Sequence, residues 1–166
     1  HGFNVPKSKG FSSKEEALSD MAWYEYPMIV KPADGSGSKG VTRIDNEQEL
    51  LSALEVAFDR SRCGNIIVEA FIEKDGCSSD CDAFSVNGEL QSIYYSAQRF
   101  DASAENPYTP SAYTWPATFT KDQEAYLTSE IQRMLRLLNM GTTVYNIETR
   151  IGKDGEPYIM EITPRG

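Results

Sequence analysis

The tightest constraint on this chain lies near its C-terminus. Residues 143–151 and 157–163 each alternate apolar and polar side chains, and only five residues separate them. A connection that short makes the two strands antiparallel neighbours. With 153–156 as a four-residue loop and Gly152 opposite Pro157, Arg150 faces Ile159, Glu148 faces Glu161 and Asn146 faces Thr163. The two-residue period puts all three pairs on one face. Directly opposed carboxylates repel, by about 0.2–1 kcal/mol even on a wet surface. Burial sharpens the conflict, because it raises one pKa or demands a cation. A hard dication with oxygen ligands resolves it. The predicted metal ligands are therefore Glu148 and Glu161, with Asn146 or Thr163 beside them. The alternative is a register one residue off, which would leave the two acids solvated on opposite faces.

The rest of the chain mixes strands and helices without regular alternation, which predicts an α+β fold with mainly antiparallel sheets. Ser12 or Ser13 with Glu15 or Glu16 reads as a capping box opening a helix to about Trp23. Strands are predicted at 26–31 and 41–44. Asp45 and Asn46 cap a helix whose apolar positions Leu50, Ala53, Leu54, Ala57 and Phe58 follow helical spacing, with Gly64 as its stop. Residues 65–72 form a strand, apolar at Ile66, Ile67 and Val68. A hairpin at 80–86 and 89–97 turns about Asn87-Gly88. The segment 101–118 is a long loop with one strand near its end. Thr120 and Gln123 open a helix with Leu127, Ile131, Met134, Leu135 and Leu138 as its buried stripe and Gly141 as its stop.

Gly35, Gly37 and Gly40 match G-x-G-x-x-G, a weak motif by itself. A dinucleotide-binding fingerprint would need a helix directly after Gly40, and Val-Thr-Arg-Ile reads as strand. A Walker loop would need Gly-Lys-Ser/Thr, whereas Lys39 precedes Gly40. What remains is a glycine-rich hairpin folded over phosphates, its amides approaching oxygens closely, or a plain surface hairpin. Ser36, Ser38 and Lys39 add donors, and Lys31 could reach the same phosphates. A protein-kinase reading fails for lack of His-Arg-Asp and Asp-Phe-Gly.

Several function classes drop out. The chain has 166 residues, 40% of them hydrophobic, enough for one domain or two small lobes. No apolar run approaches the ~20 residues that span a bilayer, and the start does not read as a signal peptide. A net charge of −9 opposes broad nucleic-acid binding. The single histidine is His1, so Ser-His-Asp and Cys-His mechanisms have no base here. Cys63, Cys77 and Cys81 lack the partners of a zinc site and read as reduced, cytoplasmic thiols.

Five stretches together resemble the ATP-grasp superfamily, especially the carbamoyl-phosphate synthase large subunit and stand-alone carboxylate–amine ligases. They are Tyr-Pro-Met-Ile-Val-Lys-Pro (26–32), Gly-Ser-Gly-Ser-Lys-Gly-Val (35–41), Ile-Val-Glu-Ala-Phe-Ile (67–72), Asn-Ile-Glu (146–148) and Met-Glu-Ile-Thr-Pro-Arg-Gly (160–166). They occur in family order over nearly the whole chain. The resemblance implies two α+β lobes holding ATP between them, a small one at 1–72 and a larger, truncated one at 73–166. The family's N-terminal domain, which precedes the Val-Pro-Lys-Ser entry at 5–8, is expected to lie outside this chain.

The same resemblance implies residue roles. Lys31 would bind the phosphates and Gly35, Ser36, Gly37, Ser38, Lys39 and Gly40 would cover them. The strand through Glu69, Ala70, Phe71 and Ile72 would hold adenine. Glu148 and Glu161 would hold Mg²⁺ (or Mn²⁺), and Arg165 would touch the transferring phosphate. The implied reaction joins a carboxylate to an amine through an acyl phosphate, in a cytoplasmic protein that is a homodimer at full length. A phosphotransferase of the same fold and a non-enzymatic nucleotide-binding module are the rivals. Two departures stand out. Cys77, Ser78 and Ser79 replace the family's ribose-holding Glu, leaving Asp80 or Asp82 as stand-ins. Thr163 replaces the Asn of the final metal motif. Arg99 and the 101–118 loop are expected to meet substrate.

Overall fold

Apolar side chains alternate along the strands and recur at helical spacing in the helices, and they collect into two separate cores. The computed structural model describes residues 1–104 and 109–165. The chain forms two compact units, one of Pro6–Phe71 and one of His1–Val5 with Ile72–Gly166. The described part of each is α+β with an antiparallel sheet, as the sequence predicts.

The first unit holds strands β1 (Ser8–Phe11), β2 (Met28–Pro32), β3 (Thr42–Ile44) and β4 (Ile66–Ala70), in the order β1-β4-β2-β3. Helices α1 (Lys14–Ser19) and α2 (Leu50–Arg60) complete it. The core joins Met28, Val30, Ile44, Ile66 and Val68 to Leu50, Ala53, Leu54 and Ala57 of α2.

Both helices are shorter than their sequence patterns predict, and distant side chains set their ends. Ser13 caps α1, and Ser12 donates to the Glu16 carboxylate from its amide and its hydroxyl. The helix stops at Ser19, not near Trp23. Asp20 leaves helical geometry (φ −100, ψ 35), and the Tyr24 hydroxyl donates to the Ala17 carbonyl at 2.8 Å. Asn46 caps a 3-10 turn at Glu47–Glu49 that leads into α2. Helix α2 ends at Arg60, before Gly64, because the Asp34 carboxylate draws off the next donors. It accepts from Ser61 Oγ at 3.2 Å, Arg62 N at 3.1 Å and Cys63 N at 2.9 Å.

The second unit holds β5 (Ser79–Val86), β6 (Glu89–Phe100), β7 (Pro110–Thr114), β8 (Thr143–Ile151) and β9 (Pro157–Arg165), in the order β7-β6-β5-β8-β9. Helix α3 (Lys121–Leu137) covers one face, packing Leu127, Ile131 and Leu135 on Cys81, Ala83, Tyr95, Tyr145, Ile147 and Ile159. The β5–β6 hairpin turns through Asn87 (φ 51) and Gly88 (φ 79), the paired left-handed residues of a type I′ turn. Strand β7 is the one expected inside the 101–118 loop; residues 105–108 of that loop, and Gly166, lie outside the described residues.

Thr120 and Gln123 form both halves of the capping box. The helix ends at Leu137 instead of Gly141. Asn139 takes the left-handed position (φ 51), and Met140 N donates to Leu135 O at 3.0 Å, the long bond of a Schellman end. Leu138, expected in the buried stripe, therefore falls past the helix and is 58% exposed.

The β8–β9 pairing keeps two of the three expected pairs. Glu148 faces Glu161 and Asn146 faces Thr163, but Arg150 faces Tyr158 and Ile151 faces Pro157. The turn is one residue longer than expected, with Gly152 N bonded to Glu156 O at 2.9 Å. A bulge compensates: Thr149 pairs with Ile159 and Glu148 with Glu161, which leaves Met160 as the extra residue. The bulge resets the alternation. Ile159 packs into the α3-side core, while Glu161, two residues on, is exposed on the other face.

Candidate functional site

In the first unit, Lys31 and Glu69 lie on adjacent strands in diagonal register, since Lys31 pairs with Ile67 and Ile29 with Glu69. Lys31 Nζ donates to Glu69 Oε1 at 2.9 Å, and Glu69 is buried. The two residues expected to serve different parts of a nucleotide are thus bonded to each other. The Ala70 amide donates to Lys7 O at 2.8 Å and the Phe71 amide to Pro27 O at 3.1 Å. Strand β4 ends at Ala70, short of the expected Ile72. The Arg43 guanidinium lies 4.4 Å from the Phe71 ring centroid.

The glycine-rich segment following β2 is a turn with positive φ at Gly37 (63), Ser38 (56) and Gly40 (77). Ser36, Gly37 and Lys39 are exposed. Only glycine fits at position 40: a Cβ there would meet Arg60 Cβ at 2.9 Å and Pro32 Cγ at 3.0 Å. At Gly37 a Cβ would meet nothing within 4 Å.

In the second unit, the sheet face away from α3 carries the acids. Cross-strand register sets Ser96, Asp80, Glu148 and Glu161 in one row across β6, β5, β8 and β9. Tyr94, Asp82, Asn146 and Thr163 form the next row. Asn146 Nδ2 donates to Asp80 Oδ1 at 2.5 Å, and Arg165 Nη2 donates to Asn146 Oδ1 at 3.3 Å. Thr163 Oγ1 donates to Glu161 Oε1 at 3.0 Å. Arg150 Nη2 lies 3.7 Å from Glu148 Oε1, and its Nη1 donates to the Ile72 carbonyl at 2.8 Å. Burial pushes the Asp80 carboxyl above the ordinary value of 3.8, against the pull of the Asn146 bond, and the nearby Asp82 adds to the rise. The Tyr113 phenol is likewise raised by burial and by Asp80 and Glu148.

The structure thus brings Asn146, Glu148, Glu161, Thr163 and Arg165 to one face. Among the described residues, no group of three or more His, Cys, Asp or Glu is gathered closely enough to hold a metal ion. The donor set here, two carboxylates with a hydroxyl and an amide beside them, fits a hard cation that takes its other ligands from a bound substrate. Arg99 does not join this face. It stands on β6 in step with Ala97 and Tyr95, and its guanidinium bonds Cys77 Sγ at 2.9 Å and Thr114 Oγ1 at 3.2 Å. Asp80 and Arg150 are the members that sequence reasoning left without a place in the metal site. The signal for Asp80 was the alternation Asp80–Asp82 on β5, in step with Glu148 and Asn146 of β8.

A glycine-turn unit and an acid-faced unit, each built on an antiparallel sheet, define a two-unit α+β fold. The family model described as the ATP-grasp domain matches residues 24–166, and the chain belongs to the ATP-grasp family. A crystal structure of an L-amino acid ligase from Bacillus licheniformis is 26% identical, with a TM-score of 0.71 over 99% of this chain and 37% of its own. A D-Ala:D-Ser ligase from Enterococcus faecalis shares the fold at 24% identity and a TM-score of 0.76, covering 98% of this chain and 48% of its own. So does the biotin carboxylase domain of a Hydrogenobacter thermophilus 2-oxoglutarate carboxylase, solved with MgADP and bicarbonate, at 18% identity and a TM-score of 0.79 over 99% and 37%. This chain spans less than half the length of each of these proteins.

Proposed function

We propose that this chain carries the nucleotide- and metal-binding part of an ATP- and Mg²⁺-dependent ligase that joins a carboxylate to an amine through an acyl phosphate. The observation that carries the reading is the direct pairing of Glu148 with Glu161, on the face where Arg165 bonds Asn146. The L-amino acid ligase among its structural relatives supports the reaction class.

In this reading Lys31 contacts phosphate oxygens. An ammonium has three donors, so it keeps Glu69 as a partner while doing so. The amides of the Gly35–Gly40 turn, with Ser36, Ser38 and Lys39, cover the phosphates, and Glu69, Ala70, Phe71 and Ile72 border the adenine. Glu148 and Glu161, with Asn146 and Thr163 beside them, hold Mg²⁺; Mn²⁺ is a hard enough cation to replace it. Bound metal supplies charge neutralisation on the phosphate oxygens. A substrate carboxylate oxygen attacks the terminal phosphorus, the bond to ADP breaks, and Arg165 offsets charge on the moving group. The amine then attacks the acyl carbon, releasing phosphate and losing a proton. Positioning and charge neutralisation suffice, so the chemistry does not require histidine.

The partners are small carboxylates and amines, and a net charge of −9 opposes a nucleic-acid partner. No helix among the described residues is long and apolar enough to cross a membrane. Free thiols at Cys63, Cys77 and Cys81 suit the cytoplasm. The test is calorimetry with Mg-ATP followed by product analysis on the full-length protein. ADP, free phosphate and an amide are expected. ADP with a stable phospho-compound would mean a phosphotransferase, and binding without turnover on any carboxylate would mean a binding module.

A further inference from the structure

Three side chains from three neighbouring strands form a continuous chain of bonds across the acidic face. Asp80 on β5 accepts from Asn146 Nδ2 at 2.5 Å, and Asn146 Oδ1 on β8 accepts from Arg165 Nη2 on β9 at 3.3 Å. The primary amide is directional. Its nitrogen only donates and its oxygen only accepts, so an amide that gives its N–H₂ to Asp80 must present its oxygen at the other end. Arg165 has only donors and needs that oxygen. Reversed, the amide would set N–H₂ against guanidinium N–H and leave the Asp80 oxygen against an acceptor. Asp80 thereby fixes the state of Asn146, and Asn146 fixes a rotamer of an otherwise exposed, flexible arginine.

We infer that Asp80 is a positioning residue. Through Asn146 it holds the Arg165 guanidinium ready for the terminal phosphate of the nucleotide. The inference rests on the role given to Arg165 above and adds a residue that touches no reacting atom. It also separates Asp80 from the neighbouring carboxylates: Glu148 and Glu161 are the pair proposed to hold a cation, whereas Asp80 accepts from an amide. Pre-set geometry of this kind lowers the ordering cost when charge develops on the transferring group.

The test is a double-mutant cycle on the full-length protein, read as the preference for Mg-ATP over Mg-ADP in calorimetry. The diphosphate lacks the group that Arg165 is assigned to touch, so its affinity serves as an internal control. Arg165→Ala should cut the preference about tenfold, the value of a hydrogen bond to a charged group. Asp80→Ala should cut it by a similar factor, and the double variant should lose no more than Arg165→Ala alone. If Asp80→Ala does not fold, Asp80→Leu, branched at the same carbon and without an acceptor, repeats the measurement. Asp80→Asn keeps an acceptor for Asn146 and should retain more of the preference than either.

Losses that multiply in the double variant would overturn the inference, as would an unchanged preference in Asp80→Ala or Asp80→Leu. A loss in Asp80→Asn equal to that in Asp80→Ala would also overturn it, because it would indicate charge acting through space and not through the amide. An unchanged preference in Arg165→Ala would instead remove the role of Arg165 itself, and that result is read from a different variant.

Discussion

Lys31 Nζ sits 2.9 Å from Glu69 Oε1, with the two side chains only 21% and 10% exposed. Removing one partner of a largely buried pair strands the other charge, at a cost of about 3 kcal/mol. Lys31→Ala should therefore lose stability in denaturant unfolding as well as weakening Mg-ATP binding at least about tenfold. Lys31→Met with Glu69→Leu should recover most of the stability and none of the affinity. Recovery of both would remove Lys31 from the phosphate site.

Glu161→Gln keeps the shape of the side chain and its acceptor for Thr163 but removes the charge that opposes Glu148. Titrating Mg²⁺ at fixed ATP should show a metal requirement at least about tenfold weaker, the scale on which a lost charged oxygen ligand or its support is felt. A variant that follows the wild-type Mg²⁺ curve would count against the metal site. Without metal, the same substitution should leave the protein as stable or slightly more so, because the like-charge contact is gone.

Gly40 and Gly37 both have positive φ, yet only Gly40 is hemmed in by neighbours. Gly37→Ala should cost about 1 kcal/mol of backbone strain. Gly40→Ala should cost more, about 2–3 kcal/mol, because the new methyl displaces Arg60 and Pro32 as well. Thermal unfolding of the two variants side by side checks the order; equal midpoints would mean that the contact with Arg60 gives way freely.

Burial raises the Asp80 carboxyl above its ordinary 3.8, so its ionised form opposes folding. The folded chain holds this proton more tightly than the unfolded chain, and the contribution of Asp80 to stability falls as pH rises from 3.8 through the folded value. Asp80→Asn is accordingly more stable than wild type at pH 7, and the advantage disappears below the unfolded value. Melting curves at pH 7 and in mild acid, for wild type and variant, measure this. An advantage that grew in acid would reverse the sign and the cause.

The pairing of Glu148 with Glu161 was legible in the sequence, but only because two deviations cancel. The turn is one residue longer than its composition suggests, and the bulge at Met160 restores the register. Neither leaves a local mark, since a bulge depends on what both sheet faces must bury. The starts of α1 and α3 were legible from Ser13 and Thr120, whose cap bonds are local, whereas Asn46 opens a 3-10 turn and α2 begins only at Leu50. Helix ends were not legible. Asp34 terminates α2 from across the unit, and Asn139, not the nearby glycine, closes α3. The bond from Asn146 to Asp80 spans 66 residues and follows from strand order, which spacing alone does not supply.

Asp34 and Gly40 bracket the glycine turn, and both are fixed at the C-terminal end of α2: Asp34 binds the Arg62 and Cys63 amides just past the helix, and Gly40 packs on Arg60. The intervening five residues are a short tether between two posts driven into the same plank. A tether so anchored would have less entropy left to lose in the phosphate-covering role proposed for it, since fixing its ends has already removed the loop-closure part of that cost. Slack added between 35 and 39 would loosen that grip without disturbing any residue beyond the posts.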